Sequence, residues 1–262
     1  MKIIILGSGG FLPTPLPLCS CRICKNTPKR TGPSIYFPEL ELLIDTPENI
    51  YEKFIDSDFK IKNILYSHWH PDHTAGYRIF EYLKYSIEKE IPTIHLNKTL
   101  LDSFKNKFTA LDYFNSRGFI KINKVKDKIM SHNLKIKFLK MNNDFSIAYL
   151  IKSKNKNILI CMDHSKDLIV ENINEKIDLL IMNFGSYFAK INSVHKYDDT
   201  NSETDFIQDN LRIIKKLKPT KTIFLHIDPI WNLTDNDLKN IEQEYSKYNI
   251  HFSYDGMTLQ ER

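Results

Sequence analysis

Ser67-His68-Trp69-His70-Pro71-Asp72-His73 places three imidazoles and a carboxylate within six residues, directly after the apolar run Asn63-Ile64-Leu65-Tyr66. A strand ending in such a loop delivers these side chains to one edge of a sheet. Imidazole and carboxylate together suit Zn²⁺, Mn²⁺ or Fe. His68 and His70 can face one position while Asp72 and His73 reach a second. Two metals about 3.5–4 Å apart would then clamp both the attacking and the leaving oxygen of a displacement. With only 9 histidines in 262 residues, chance assembly of this string is expected in on the order of one such chain per thousand.

Outward from the histidine loop, short apolar runs alternate with amphipathic stretches. The pattern predicts strands at 2–6, 93–96, 134–139, 146–151, 157–161, 178–182, 220–225, 250–253 and 257–259, with a hairpin joining 34–37 to 42–45. Helices are expected at 47–55, with Thr46 as N-cap and Pro47 in the first turn, and at 74–89, 204–217 and 235–248. The stretch 97–126 has the weakest periodicity and reads as an insertion near the active site. Strands in succession with helices at intervals argue for an α/β architecture of sheets covered on their outer faces by helices. No linker or compositional break divides the chain, so a single domain over 1–262 is expected.

Composition bounds the function. A hydrophobic fraction of 42% and a charged fraction of 26% are those of a folded chain, and no apolar run approaches the roughly 18 residues that span a membrane. The start Met1-Lys2-Ile3-Ile4-Ile5-Leu6 breaks into Gly7-Ser8-Gly9-Gly10 and is too short for a signal-peptide core. A cytoplasmic protein without membrane attachment is the expectation. The net charge of +5 is spread over lysines alternating with acids, giving at most a weak attraction for anionic substrates. Nucleic acid is not favoured, because no basic block with interleaved aromatics is present. Three of the 4 cysteines crowd into Cys19-Ser20-Cys21-Arg22-Ile23-Cys24, which fits a metal knuckle better than disulfides.

The histidine loop resembles the His-x-His-x-Asp-His signature of the metallo-β-lactamase superfamily. Leu42-Leu43-Ile44-Asp45-Thr46 resembles that family's Leu-Ile-Asp-Thr-Gly strand end, with Pro47 in place of the glycine. Met162-Asp163-His164-Ser165 and Phe224-Leu225-His226-Ile227 resemble its later metal-binding segments. The resemblance implies an αβ/βα sandwich: two central mixed sheets with helices on both outer faces. It implies one or two divalent metals, His68 and His70 holding one, Asp72, His73 and His226 the other, and Asp163 bridging them. Asp72 would also orient the attacking water or take its proton, and Asp45 would support the loop by hydrogen bonds. The family's further histidine, just before 146–151, is absent: Met141-Asn142-Asn143-Asp144 stands there. Asn143 or Asp144 is the expected oxygen substitute; otherwise a single metal binds.

Gly7-Ser8-Gly9-Gly10 followed by Cys19-x-Cys21-x-x-Cys24 is similar to the N-termini of two subfamilies, the cyclic-phosphate phosphodiesterases of the carbon–phosphorus lyase pathway and the B proteins of pyrroloquinoline quinone synthesis. Both imply a structural zinc on the cysteines, with Asp228 a candidate fourth ligand. The function so implied is hydrolysis of a small or cyclic phosphate ester or nucleotide by a metal-activated hydroxide. His164 and His195 are candidates for contacting the substrate or assisting the leaving group. Alternatives are a hydrolase or oxygenase of another small molecule and, less favoured, a tRNA-processing type of ribonuclease or a non-catalytic metal-stabilised scaffold. A homodimer is compatible with the relatives. His95, His132 and His251 read as structural, Trp69 as packing, Cys161 as a buried apolar residue, and Tyr254-Asp255-Gly256-Met257 as a hairpin turn.

Overall fold

The computed structural model describes residues 1–55, 57–130, 135–153, 156–185 and 205–260. Among these residues fourteen strands form two seven-stranded sheets. The first contains β1 (Lys2–Gly7), β2 (Ser34–Phe37), β3 (Leu42–Ile44), β4 (Asn63–Leu65), β5 (Thr93–Leu96), β6 (Lys121–Lys124) and the last strand of the chain, β14 (Met257–Gln260), in the order β14-β1-β2-β3-β4-β5-β6. The second contains β7 (Lys128–Met130), β8 (Lys135–Lys140), β9 (Ile147–Ser153), β10 (Lys156–Cys161), β11 (Leu179–Asn183), β12 (Lys221–Leu225) and β13 (Ile250–Phe252), in the order β13-β12-β11-β10-β9-β8-β7. β3 to β6 are parallel to one another, as are β10 to β13, and the remaining pairings are antiparallel.

Central strands that are apolar at every position bury both faces, which is the sequence mark of a covered sheet. In the second sheet the alternation is resolved by layer. Tyr149, Ile151, Ile158, Ile160, Ile181 and Leu225 join the large core shared with the first sheet. Leu150, Leu159, Cys161, Met182 and Phe224 face the opposite way and pack with Ile213, Ile214, Leu238 and Ile241. The latter come from α6 (Leu211–Leu217) and α7 (Asp235–Glu244). The short helices α1 (Arg22–Asn26) and α2 (Pro71–Thr74) belong to loops, and α3 (Ile79–Tyr85), α4 (Lys98–Phe104) and α5 (Ala110–Ser116) lend Phe80, Leu100, Phe104, Leu111 and Phe114 to the large core. The two mixed sheets and their covering helices are the architecture expected.

Three expected helices are corrected. Over 47–55 only a 3₁₀ segment, Ile50–Phe54, forms. Thr46 cannot cap it, because its N–H donates to the carbonyl of His73 and its Oγ1 pairs with Tyr66 Oη at 2.8 Å. The helix expected over 74–89 is broken around Gly76, whose N–H donates to the carbonyl of Thr46. A Cβ there would lie 2.0 Å from the carbonyl oxygen of Pro47, so Gly76 is required for this close approach. The helix beginning at Leu211 is preceded by a π turn, Phe206–Asn210. There the Asn210 side chain donates to the carbonyls of Asn183 and Phe184 and accepts from Ser165 Oγ; such turns accompany local demands on a helix. The uncertain stretch 97–126 supplies α4, α5 and the edge strand β6, and β7 is a further edge strand that the pattern did not reveal.

Candidate metal centre

The parallel strands of both sheets end at one rim. Asp45 follows β3 with φ 61° and a buried side chain. Its Oδ1 accepts the N–H of Ser67 at 2.7 Å, and its Oδ2 accepts Ser67 Oγ at 2.7 Å and Nδ1 of His73 at 2.7 Å. One carboxylate thus holds the end of β4 and orients His73. Ser67 Oγ lies 3.0 Å from Nδ1 of His68. The carbonyl of Ser67 accepts the N–H of Ile147 at the start of β9, joining the rims of the two sheets. After β12, His226 has φ 61°, and its Nδ1 lies 3.3 Å from Asp228 Oδ2. Asp228 Oδ1 accepts the N–H of Leu12. A Cβ on Gly10 would lie 2.1 Å from that carboxylate and 2.5 Å from the His226 ring. Carboxylates only accept, so His73 and His226 carry a proton on Nδ1 and turn Nε2 toward the centre, the arrangement that prepares imidazole for a metal.

Two donor groups result. His68, His70, Asp163 and His164 form the first, and Asp72, His73 and His226 the second. Oδ2 of Asp163 is 3.1 Å from His164 Nε2, 3.7 Å from His68 Nε2 and 3.9 Å from His226 Nε2, so it faces both groups. Oδ2 of Asp72 is 3.1 Å from His73 Nε2 and 3.4 Å from His226 Nε2. Nevertheless Nε2 of His68, His73, His164 and His226, and Oδ2 of Asp72, are buried with no partner in hydrogen-bond geometry. Each such atom costs about 1–3 kcal/mol if left unsatisfied. A divalent cation removes that cost, and the N/O donor set suits Zn²⁺, Mn²⁺ or Fe.

The electrostatics agree. Burial and neighbouring imidazoles push His68 well below its ordinary pKa, and burial takes His70 down to about 4, so both are neutral donors. Burial alone would lower His73, but Asp72 and Asp45 raise it to about 10. Burial would lower His226 too, yet Asp163, Asp228 and Asp72 hold it well above its usual value. Burial likewise opposes ionisation of Asp72 and Asp163, and the imidazoles overcome it, keeping both below the usual carboxylate range.

No protein-family model and no curated protein sequence matches the chain. Solved structures do. A diphosphatase of the PhnP family superposes with TM-score 0.75 at 19% identity, covering 100% of this chain and 98% of that one. Zn²⁺-bound PqqB from Methylobacterium extorquens gives 0.72 at 17% identity over 100% of both chains. Human tRNase Z, short form, gives 0.66 at 16% over 99% of both. The chain has the metallo-β-lactamase fold.

In this metallo-β-lactamase fold the histidine missing before β9 has no counterpart in Asn143. Its Oδ1 is committed to the N–H groups of Phe145 and Ser146 and to Ser146 Oγ, and its Nδ2 donates to Asp167. Its amide is thus engaged in closing the turn into β9, whereas Asp144, the other oxygen donor expected, lies in that same turn and belongs to neither donor group among the described residues. Phe145 fills the neighbourhood instead, its ring centroid 5.0 Å from His164 and 5.9 Å from His70. His164, at φ 54° after β10, brings a further imidazole to the first donor group, a placement that no spacing in the sequence marks. His195 and His132 lie outside the described residues. His95 and His251 hydrogen-bond to asparagines, Cys161 is buried, and Trp69 packs against the large core.

Cys19, Cys21 and Cys24 bring their sulfurs within 4.8 Å of one another, with Cys21 capping α1. Burial and the neighbouring thiols push Cys24 up to about 11, so a set of thiolates there needs a cation. Among the described residues no fourth His, Cys, Asp or Glu joins them. Asp228 does not, being committed to His226 and Leu12.

Proposed function

We propose that this chain is a metal-dependent phosphodiesterase acting on a small phosphate ester. The observation that carries this reading is the pair of donor groups facing each other across Asp163, with buried Nε2 atoms turned inward and lacking partners. His68, His70 and His164 would hold one divalent metal and Asp72, His73 and His226 the other, with Asp163 facing both groups. Divalent metals in such a pair supply Lewis acidity toward a phosphoryl oxygen and make water nucleophilic at neutral pH. Asp45 and Asp228 keep the imidazoles of His73 and His226 in the ligating orientation. Asp72, held ionised, is the carboxylate at hand to orient the attacking water or take its proton.

Phosphate as the substrate group is supported by the likeness to a diphosphatase and by the net positive charge. A reaction that uses a single metal has less support, since His164 brings the first group to four donors. The test is hydrolysis of bis(4-nitrophenyl) phosphate by metal-depleted protein resupplied with Mn²⁺ or Zn²⁺. Turnover should return with metal and fall at least about a hundredfold in Asp72→Ala. Folded, metal-loaded protein that leaves the diester intact would sink the proposal and turn the search to other small molecules.

A further inference from the structure

The charge of this chain is unevenly placed. From Lys128 to Met162 stand seven lysines and one acid, Asp144, so these residues carry the net charge of +5 and the remainder is close to neutral. No basic block is visible in the sequence, because the lysines of the strands alternate with apolar residues. Strand pairing turns that alternation into a concentration. β7 and β8 are antiparallel, with Lys128 opposite Lys137 and Met130 opposite Lys135. Ile136 and Phe138 belong to the large core, so Lys135 and Lys137 stand on the outer face of the second sheet.

α6 and α7 pack with Leu159, Met182 and Phe224 of the central strands, and Lys128, Met130 and Lys135, beyond that cover, are exposed. With Ile136, Lys137 and Lys152 they line one open groove of about 240 Å³. Lys152 is paired with Glu175 at 3.1 Å. Lys128, Lys135 and Lys137 have no carboxylate within salt-bridge distance among the described residues. Asp127, adjacent to Lys128 in the chain, offsets part of the charge, and the four residues between β7 and β8 include no acid. Exposed Lys121 and Lys124 continue the charge onto the edge strand β6. Like charges directly opposite on paired strands destabilise a sheet, so Lys128 and Lys137 cost stability unless an anion lies over them.

The composition of the face selects its partner. Protein interfaces are depleted in lysine and centred on aromatic residues and Arg, and a membrane-seated face needs several large apolar side chains. Here ammonium groups surround a single exposed methionine. Single-stranded nucleic acid is held by aromatic stacking platforms, and no lining residue of the groove is aromatic. Lysine ammonium groups act as point charges on phosphates, and alternate residues along a strand present them about 7 Å apart. We infer that the outer face of β7, β8 and β9 is a docking surface for the phosphate backbone of double-stranded nucleic acid, bound without regard to sequence. This surface is separate from the metal centre and stands whatever ester that centre hydrolyses.

The probe is a fluorescein-labelled DNA duplex of about 20 base pairs, titrated with the metal-loaded protein and followed by anisotropy. Gel electrophoresis checks that the duplex stays intact. Binding should be micromolar at about 50 mM salt, and log K should fall against log salt with a slope of about −3, as three or four phosphate contacts require. Lys128→Gln/Lys135→Gln/Lys137→Gln should weaken binding at least about tenfold and bring the slope to about −1. This variant should fold at least as stably as wild type, because it removes a like-charge pair. Lys215→Gln/Lys239→Gln/Lys247→Gln takes the same charge from α6, α7 and the 3₁₀ turn before β13, and should bind as wild type does. Equal losses in both variants would reduce the effect to overall charge and overturn the docking face, as would an absence of binding at about 50 mM salt. Sedimentation with phosphatidylserine vesicles that the first variant loses, without duplex binding by wild type, would overturn it in favour of a membrane.

Discussion

At the scale of single residues, the centre is governed by where each polar atom finds its partner. Asn143 and His164 show this in opposite senses. Asn143 Oδ1 closes the turn into β9 by taking two backbone N–H groups and a hydroxyl, whereas Nε2 of His164 is buried and takes none. Asn143→Ala should then cost about 1–3 kcal/mol of stability, measured by denaturant unfolding, because partly buried donors lose their acceptor. Its metal content should stay at the wild-type value. His164→Ala should lose up to one equivalent of active-site metal by elemental analysis, with little change in the unfolding midpoint of the metal-free protein. Reversed outcomes would put Asn143 back among the ligands. The His-x-His-x-Asp-His loop was legible in the sequence because its ligands are adjacent in the chain. His164 was legible only as a histidine beside the expected Asp163; its left-handed backbone and the ring positions of His68 and His70 had to be seen.

Secondary-structure elements carry two further consequences. His95 on β5 is 6% exposed, with Nε2 hydrogen-bonded to Asn63 Oδ1 and Nδ1 accepting from Asn123 Nδ2. Burial lowers its pKa from 6.5 to about 4. The unfolded chain therefore takes up the proton first as the pH falls. The stability due to neutral His95 is complete above pH 6.5 and is lost as the pH falls toward 4. Unfolding curves of wild type and His95→Gln should diverge in that window, with wild type losing more stability; parallel curves would count against a buried neutral imidazole. The second element is α1 with its three thiols. Cys21→Ser should remove one equivalent of zinc and lower the thermal midpoint, since a ligand is lost while the serine hydroxyl can still cap α1. Unchanged zinc content would show that the thiols hold no metal. Cysteine spacing made this cluster legible, but the commitment of Asp228 to His226 was not, because the two residues meet only through a left-handed turn after β12.

Across the whole molecule, the rim is held by contacts between chain segments far apart in sequence. Asp255 was expected only to make a turn, yet its carboxylate accepts from the N–H and hydroxyl of Ser8, the N–H and hydroxyl of Thr31, and Lys53 Nζ. It ties the turn between β13 and β14, which joins the two sheets and is not the hairpin expected, to the loop that carries the cysteines. Asp255→Ala should cost about 3 kcal/mol, lowering Tm by roughly 6–12 °C for a chain of this size; a shift within 2 °C, roughly the expectation for a replaceable surface charge, would show that the network is redundant. The sequence by itself determined the alternation of strands and helices, the strand-end location of the histidine loop and the clustering of thiols. Those features depend on neighbours in the chain, where periodicity and spacing are written directly. Only the tertiary structure decided that His164 joins the first donor group and that Asp45 and Asp228 orient the imidazoles. Apart from the local turn that brings Asp228 to His226, each of these depends on which strand ends meet at the rim of two packed sheets, a pairing between residues as distant as His68 and His164, about a hundred positions apart, that local propensity does not encode.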